Sequence, residues 1–155
     1  MQELLNEAKR LASEGVKELV LVAQETTLYG KDLTGEKQLP LLLHELCKIE
    51  GIEWIRLLYC YPEEITDELI KVIKTEEKVC NYIDMPIQHS ENRILQRMGR
   101  RTSREDLVAV IKKLRKEIPD ITIRTTLITG FPGESQEDHC LLYTSPSPRD
   151  GLLSR

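Results

Sequence analysis

No run of about eighteen apolar residues occurs anywhere in the 155-residue chain, which excludes a membrane-spanning helix. Met1 leads at once into an amphipathic segment and not into a signal peptide. The four cysteines, Cys47, Cys60, Cys80 and Cys140, form no CxxC or CxxxCxxC spacing, so no metal or cluster site can be argued from them. Small buried hydrophobes describe Cys47, Cys60 and Cys80 better, and scattered free thiols fit a reducing, cytoplasmic setting. A formal net charge of −4 advertises no polyanionic partner. The glycines of a dinucleotide-binding turn are missing too.

What the chain does have is an ordinary globular balance, 40% hydrophobic and 31% charged. That is enough for one modest domain and too little for two. Helical and strand signals alternate along it. Leu4, Leu5, Ala8, Leu11 and Ala12 repeat at helical period and Gly15 stops them. Leu19 to Ala23 is a continuous apolar run, the mark of a strand covered on both faces. A helix over Leu39 to Ile49 is closed by Gly51, and a strand over Trp54 to Tyr59 is ended by Pro62. Thr66 caps a helix through Ile73, followed by a strand over Tyr82 to Ile87 and a short helix from Ser90 to Met98. Ser103-Arg-Glu-Asp106 is a capping-box variant that opens a long helix to Ile118. Ile121 to Ile128 reads as the fourth strand, and a last helix starts at Glu134.

One helix between successive strands implies right-handed crossovers and a parallel sheet. Without dinucleotide-binding glycines, four such units predict an α/β fold that is a partial parallel β/α barrel, an open arc of about four strands. The polar residues support the arc: Gln24 to Thr27, Tyr59 to Tyr61, Gln88-His89 and Thr129-Gly130 all follow the carboxyl end of a strand. In a barrel those ends form the active face.

The segment Cys140 to Asp150 (CLLYTSPSPRD) back-translates in one frame onto a transposon-type sequencing adapter, and Gly151 to Arg155 fits a sample index. The expected division is therefore a native domain over 1–139 and a non-native, disordered tail over 140–155. A natural Ser/Pro-rich tail is the competing reading.

Gln24, Glu25, Thr26 and Thr27 sit where a rim carboxylate could accept hydrogen bonds from an ammonium group, with neighbouring hydroxyls fixing its orientation. Either threonine would serve equally to start a loop. His89 could shuttle a proton beside Gln88, or be a hydrogen-bonded structural histidine. Asp84 points inward if the alternation holds, and a buried carboxylate needs a partner, for which Arg124 on the next strand is the candidate. Two glycines and a proline in Thr129 to Glu134 let backbone approach a flat ligand. Arg97, Arg100, Arg101 and Arg104 form a basic loop that is either a solvated face or an RNA or ribosome contact.

These residues carry a resemblance. Val22 to Thr27, Tyr29-Gly30, Asp32, Gly51 to Tyr59, Asp84 to His89, Arg93 to Arg101 and Arg124 to Glu134 closely resemble the radical S-adenosylmethionine methylthiotransferases, over Met1 to His139 almost without gaps. Ala23-Gln24-Glu25 and Ile87-Gln88-His89 are most similar to the branch that modifies an aspartate of small-subunit ribosomal protein S twelve. The tRNA-modifying branch tends to carry Gly-Gln-Asn and Val-Gln-Ser there. A non-catalytic module derived from such a barrel is a third reading.

The resemblance implies a barrel holding a 4Fe–4S cluster that binds S-adenosylmethionine. Reductive cleavage of that cofactor yields a 5′-deoxyadenosyl radical, a second cluster delivers sulfur, and another S-adenosylmethionine supplies the methyl group. It places Gln24, Glu25, Thr26 and Thr27 near the methionine amino group, Arg124 and Thr126 near the carboxylate or ribose, and Thr129, Gly130 and Gly133 near adenine. Gln88, His89, Arg100 and Arg101 are the substrate candidates. The partner implied is ribosomal protein S twelve, with a ribosome or RNA contact. The family's CxxxCxxC loop, which precedes the first helix, is lacking, as are the first barrel strand and both flanking domains. The expectation is thus an internal piece of an enzyme, open at both ends. Alone it would bind no iron, cleave no cofactor, be inactive, and leave two sheet edges unpaired.

Overall fold

The computed structural model describes residues 1–144. Residues 145–155, the rest of the expected tail, lie outside the described residues. Helix α1 (Gln2–Ser13) leads into β1 (Glu18–Leu21), and a short helix α2 (Lys31–Thr34) precedes α3 (Leu39–Cys47). Strand β2 (Trp54–Leu57), α4 (Asp67–Thr75), β3 (Val79–Asp84), α5 (Asn92–Arg97), α6 (Arg104–Glu117), β4 (Thr122–Arg124) and α7 (Gln136–Thr144) complete the order.

The strands lie side by side in chain order, β1-β2-β3-β4, every neighbouring pair parallel. A doubly wound sheet reverses direction at a switch point and covers both faces. A sheet that only advances, with right-handed crossovers, puts all its helices on one side. Ile55, Leu57, Ile83 and Ile123 therefore face Leu39, Leu43, Leu46, Ile73 and Leu114 in one shared core. The alternate residues, Val20, Trp54 and Arg124 among them, are left exposed on the other face. This is the expected arc of a barrel, concave and uncovered within.

Local chemistry explains the ends of the elements. Thr66 caps α4 by accepting from the Leu69 amide at 3.2 Å. Ser103 and Asp106 form the reciprocal box at the start of α6, with contacts of 3.2 and 3.0 Å. Strands β3 and β4 end earlier than the apolar runs suggest, at Asp84 and Arg124 in place of Ile87 and Ile128. The cause is local. The Thr125 hydroxyl takes the Ile87 amide at 3.3 Å, and Gln88 adopts a left-handed φ of 68°, so the ladder breaks and resumes as a single bridge between Gln88 and Leu127. Helix α7 runs through Thr144 and buries Leu142, so residues 140–144 continue a helix where an unstructured tail was expected.

Candidate functional site

Four consecutive strand ends are tied together by two carboxylates. The first, Glu25, follows β1. Its Oε1 accepts from the Thr27 amide at 3.1 Å, from the Thr27 hydroxyl, and from the Tyr61 amide at 3.3 Å beyond β2. Its Oε2 is buried with no partner. Burial is the main cause that raises its pKa, the three donors working against it. Thr26 completes the tie: its amide donates to the Tyr59 carbonyl at 3.0 Å and its hydroxyl to the Leu58 carbonyl at 2.5 Å.

The second carboxylate is Asp84, at the end of β3 and 2% exposed. Its Oδ2 accepts from the Tyr59 amide at 3.1 Å and its Oδ1 from Arg124 Nη1 at 3.0 Å. The partner expected from the neighbouring strand is the partner found. Tyr59 was not anticipated as a site residue. It holds a left-handed φ of 55° and is 47% exposed, a conformation that costs a non-glycine residue about 1 kcal/mol or more. Nothing in a tyrosine codon announces such strain. The only signal was its place directly after a strand.

The turn after β4 is shaped otherwise. Gly130 has a φ of 72°, and a Cβ built on it would meet nothing within 4 Å, so its backbone borders open space. Glu134 turns back on that loop, its Oε2 accepting from the Phe131 amide at 2.9 Å, the main cause that lowers its pKa. A Cβ on Gly133 would strike the Arg97 guanidinium at 2.0 Å, and the Gly133 carbonyl accepts from Arg93 at 3.0 Å.

The remaining candidates divide. Gln24, Thr126 and Thr129 are exposed at the same strand ends. Gln88 joins them through its backbone, its amide donating to Thr126 and its carbonyl accepting from Ile128. His89 is fully buried: Nδ1 accepts from the Glu91 amide at 3.0 Å, and Nε2 faces Glu134 Oε1 at 3.7 Å. That placement favours its structural reading. Arg100 stacks over the Tyr61 ring at 4.6 Å and reaches the Pro86 carbonyl at 3.4 Å, so it braces two rim loops. Arg101 is exposed. The basic loop is therefore partly a clamp and partly a free face.

A groove of about 420 Å³ runs along the outer edge of β1, between α1 and α3. Leu4, Leu11, Val20 and Val22 help to wall it, and only its upper end reaches Glu25 and Thr26. It is a seam beside the sheet and not the place where the polar strand ends converge.

Two groups can be tested against these residues. S-adenosylmethionine brings an ammonium, a carboxylate and a flat adenine. The unpartnered Oε2 of Glu25, the exposed Arg124 side chain and the open backbone at Gly130 fit them in kind. An iron–sulfur cluster needs thiolates. Burial pushes the Cys60 thiol up to about 12 and the Cys47 thiol up to about 11. Among the described residues no group of three His, Cys, Asp or Glu side chains is arranged for a metal ion. The described residues do not fit a cluster. They also include no helix long and apolar enough to cross a membrane.

Comparison with known proteins adds the lineage. A family model described as the radical SAM superfamily matches residues 1–142. The chain is 66% identical over 142 residues to ribosomal protein uS12 methylthiotransferase RimO of Lachnoclostridium phytofermentans, covering 92% of this chain and 32% of that protein. It is 61% identical over 138 residues to the protein of the same name from Clostridium perfringens, covering 89% and 31%. The chain thus spans about a third of the length of the curated relatives it matches. Among solved structures, the radical S-adenosylmethionine methyltransferase TsrM from Kitasatospora setae, solved with cobalamin and a [4Fe-4S] cluster bound, superimposes with a TM-score of 0.66 at 19% identity. That superposition covers 88% of this chain and 27% of TsrM, and it shows a shared fold.

Proposed function

Because the chain belongs to the radical SAM superfamily, we propose that it forms the cofactor-binding part of a methylthiotransferase acting on an aspartate of ribosomal protein uS12. The observation that carries this reading is the identity of 57 to 66% with proteins of that name. The paired carboxylates at the strand ends support it. A ribosomal substrate sets the place of action in the cytoplasm.

Bound S-adenosylmethionine, together with a cluster whose ligands are not among the described residues, supplies the hydrogen-abstracting radical and the methyl group. This chain binds and orients. Glu25 offers its free Oε2 to the methionine ammonium, with Thr27 and the Tyr61 amide holding the other oxygen in place. Arg124, its side chain exposed on the open face, takes the carboxylate. Gly130 gives backbone contact to adenine where any side chain would intrude. Gln24, Thr126 and Thr129 line the same rim, with Thr126 near the ribose. Gln88 and Arg101 face the protein substrate, and Arg100 keeps their loops in register. His89 acts from beneath, as a support.

The test is an assay of the intact protein that carries this chain, with its cluster reconstituted, against a uS12 peptide and against tRNA. The reading expects a methylthio group on the aspartate of the peptide and none on tRNA. Modification of tRNA alone would move the chain to the tRNA-modifying branch. Failure to modify either, with S-adenosylmethionine still bound, would leave it as a binding module.

A further inference from the structure

We infer that Asp84 is a positioning residue that sets two features of the rim at once: the left-handed backbone of Tyr59 and the direction of the Arg124 guanidinium. The inference rests on the reading of Arg124 as the receptor for the cofactor carboxylate, and goes beyond it by assigning what makes Arg124 a receptor.

The geometry is that of a bridge. Asp84 and Arg124 are register partners across β3 and β4, and the Met85 amide donates to the Arg124 carbonyl at 2.9 Å. On the other side the Cys60 amide donates to the Asp84 carbonyl at 2.9 Å. Backbone ladders thus fix where Asp84 stands relative to both neighbours before its side chain is considered. The carboxylate then spends one oxygen on each side, Oδ2 on the Tyr59 amide and Oδ1 on Arg124 Nη1. It is 2% exposed, whereas the Arg124 side chain is 57% exposed. A buried carboxylate therefore holds a surface guanidinium by one nitrogen, which leaves the outward donors of a planar fork aimed into the open face.

The Tyr59 side of the bridge carries strain. Its φ of 55° is disfavoured for a residue with a Cβ, and it is held from two directions. Asp84 takes the amide, and the Thr26 amide donates to the carbonyl at 3.0 Å. Strain of this sort persists only where surrounding contacts over-determine it. Here one of those contacts is the same side chain that aims Arg124. The Tyr59 backbone and the Arg124 guanidinium are thereby tied to one carboxylate.

Two donors facing one side chain make a sharp chemical demand: both of its oxygens must accept. Asparagine has nearly the same shape and only one such oxygen, so its amide nitrogen must confront either the Tyr59 amide or Arg124. The intact protein, cluster reconstituted, is prepared as wild type, Asp84→Asn, Arg124→Ala and the double variant, and S-adenosylmethionine binding is measured by calorimetry. Asp84→Asn is expected to weaken binding about tenfold, the scale of a lost charge-assisted contact. In the Arg124→Ala background it should weaken binding no further than about twofold, because nothing is left to aim. Wild-type affinity in Asp84→Asn, or losses that multiply in the double variant, would overturn the inference. Wild-type affinity in Arg124→Ala would instead sink the carboxylate reading and the ligand half of the inference with it.

The backbone half has its own readout. Tyr59→Gly removes the strain, so the melting temperature should stay level or rise, and Asp84→Asn should lower it less in that background than in wild type. Equal losses in both backgrounds overturn the backbone role. Should Asp84→Asn alone fail to fold, the Tyr59→Gly background is where its effect on binding is read.

Discussion

Glu25 is a carboxylate that the fold holds at a cost. Three donors converge on Oε1 while Oε2 is buried with no partner, and burial raises the pKa above 4.5. The sign of the pH dependence follows. Below 4.5 the carboxyl is neutral whether the chain is folded or not, and the fold bears no penalty. As pH rises through the raised folded value, the fold must hold a buried charge, and that share of stability is lost. Glu25→Gln keeps an acceptor for Thr27 and Tyr61 and never ionises. We expect it to melt higher than wild type at pH 7, with the difference closing near pH 4, in thermal scans across that range. A difference independent of pH would remove burial of charge as the cause. The same variant should bind S-adenosylmethionine about tenfold more weakly, since an ammonium loses its charged acceptor.

Among the elements, the helices were the most legible from sequence and the strand ends the least. The box at Ser103 and Asp106 is a short-range signal, with donor and acceptor three residues apart, so sequence alone locates it. Ser103→Ala should cost about 1 kcal/mol in chemical denaturation, and an unchanged midpoint would show that α6 is held by packing alone. The parallel order of the strands was equally readable, because one helix between each pair leaves few topologies open. So was the Asp84–Arg124 pair, which only required two strands to be neighbours. The left-handed turns at Tyr59 and Gln88 were not. They are imposed by contacts 25 and more residues away, such as the Asp84 carboxylate on the Tyr59 amide, and no local pattern encodes them. Arg100 and His89 are hard to place from sequence for a related reason. A cation and an imidazole at a rim read as free chemistry until Tyr61 and Glu134 are seen beside them.

At the scale of the whole molecule, a sheet that advances in one direction has a concave face and two outer strands. Among the described residues β1 is paired on one side only, by β2. Its other side runs along the groove between α1 and α3, where Val20 and Val22 are 47% and 60% exposed. An outer strand with bare amides, carbonyls and β-branched side chains is a template for another strand. Natural edges suppress this with charge, and the nearest charge on β1 is Glu18, which is already paired with Arg56 at 2.6 Å. The chain purified as it stands should therefore self-associate as its concentration rises, through β1 and not through the helical side. Val22→Lys puts an unpaired cation on that edge without touching the core, since Val22 is exposed. It should raise the monomer fraction severalfold in light scattering after size exclusion, whereas a lysine at Leu41, exposed on α3, should not. Equal effects from the two lysines would mean that general surface charge governs association, and that the edge of β1 has no special part in it.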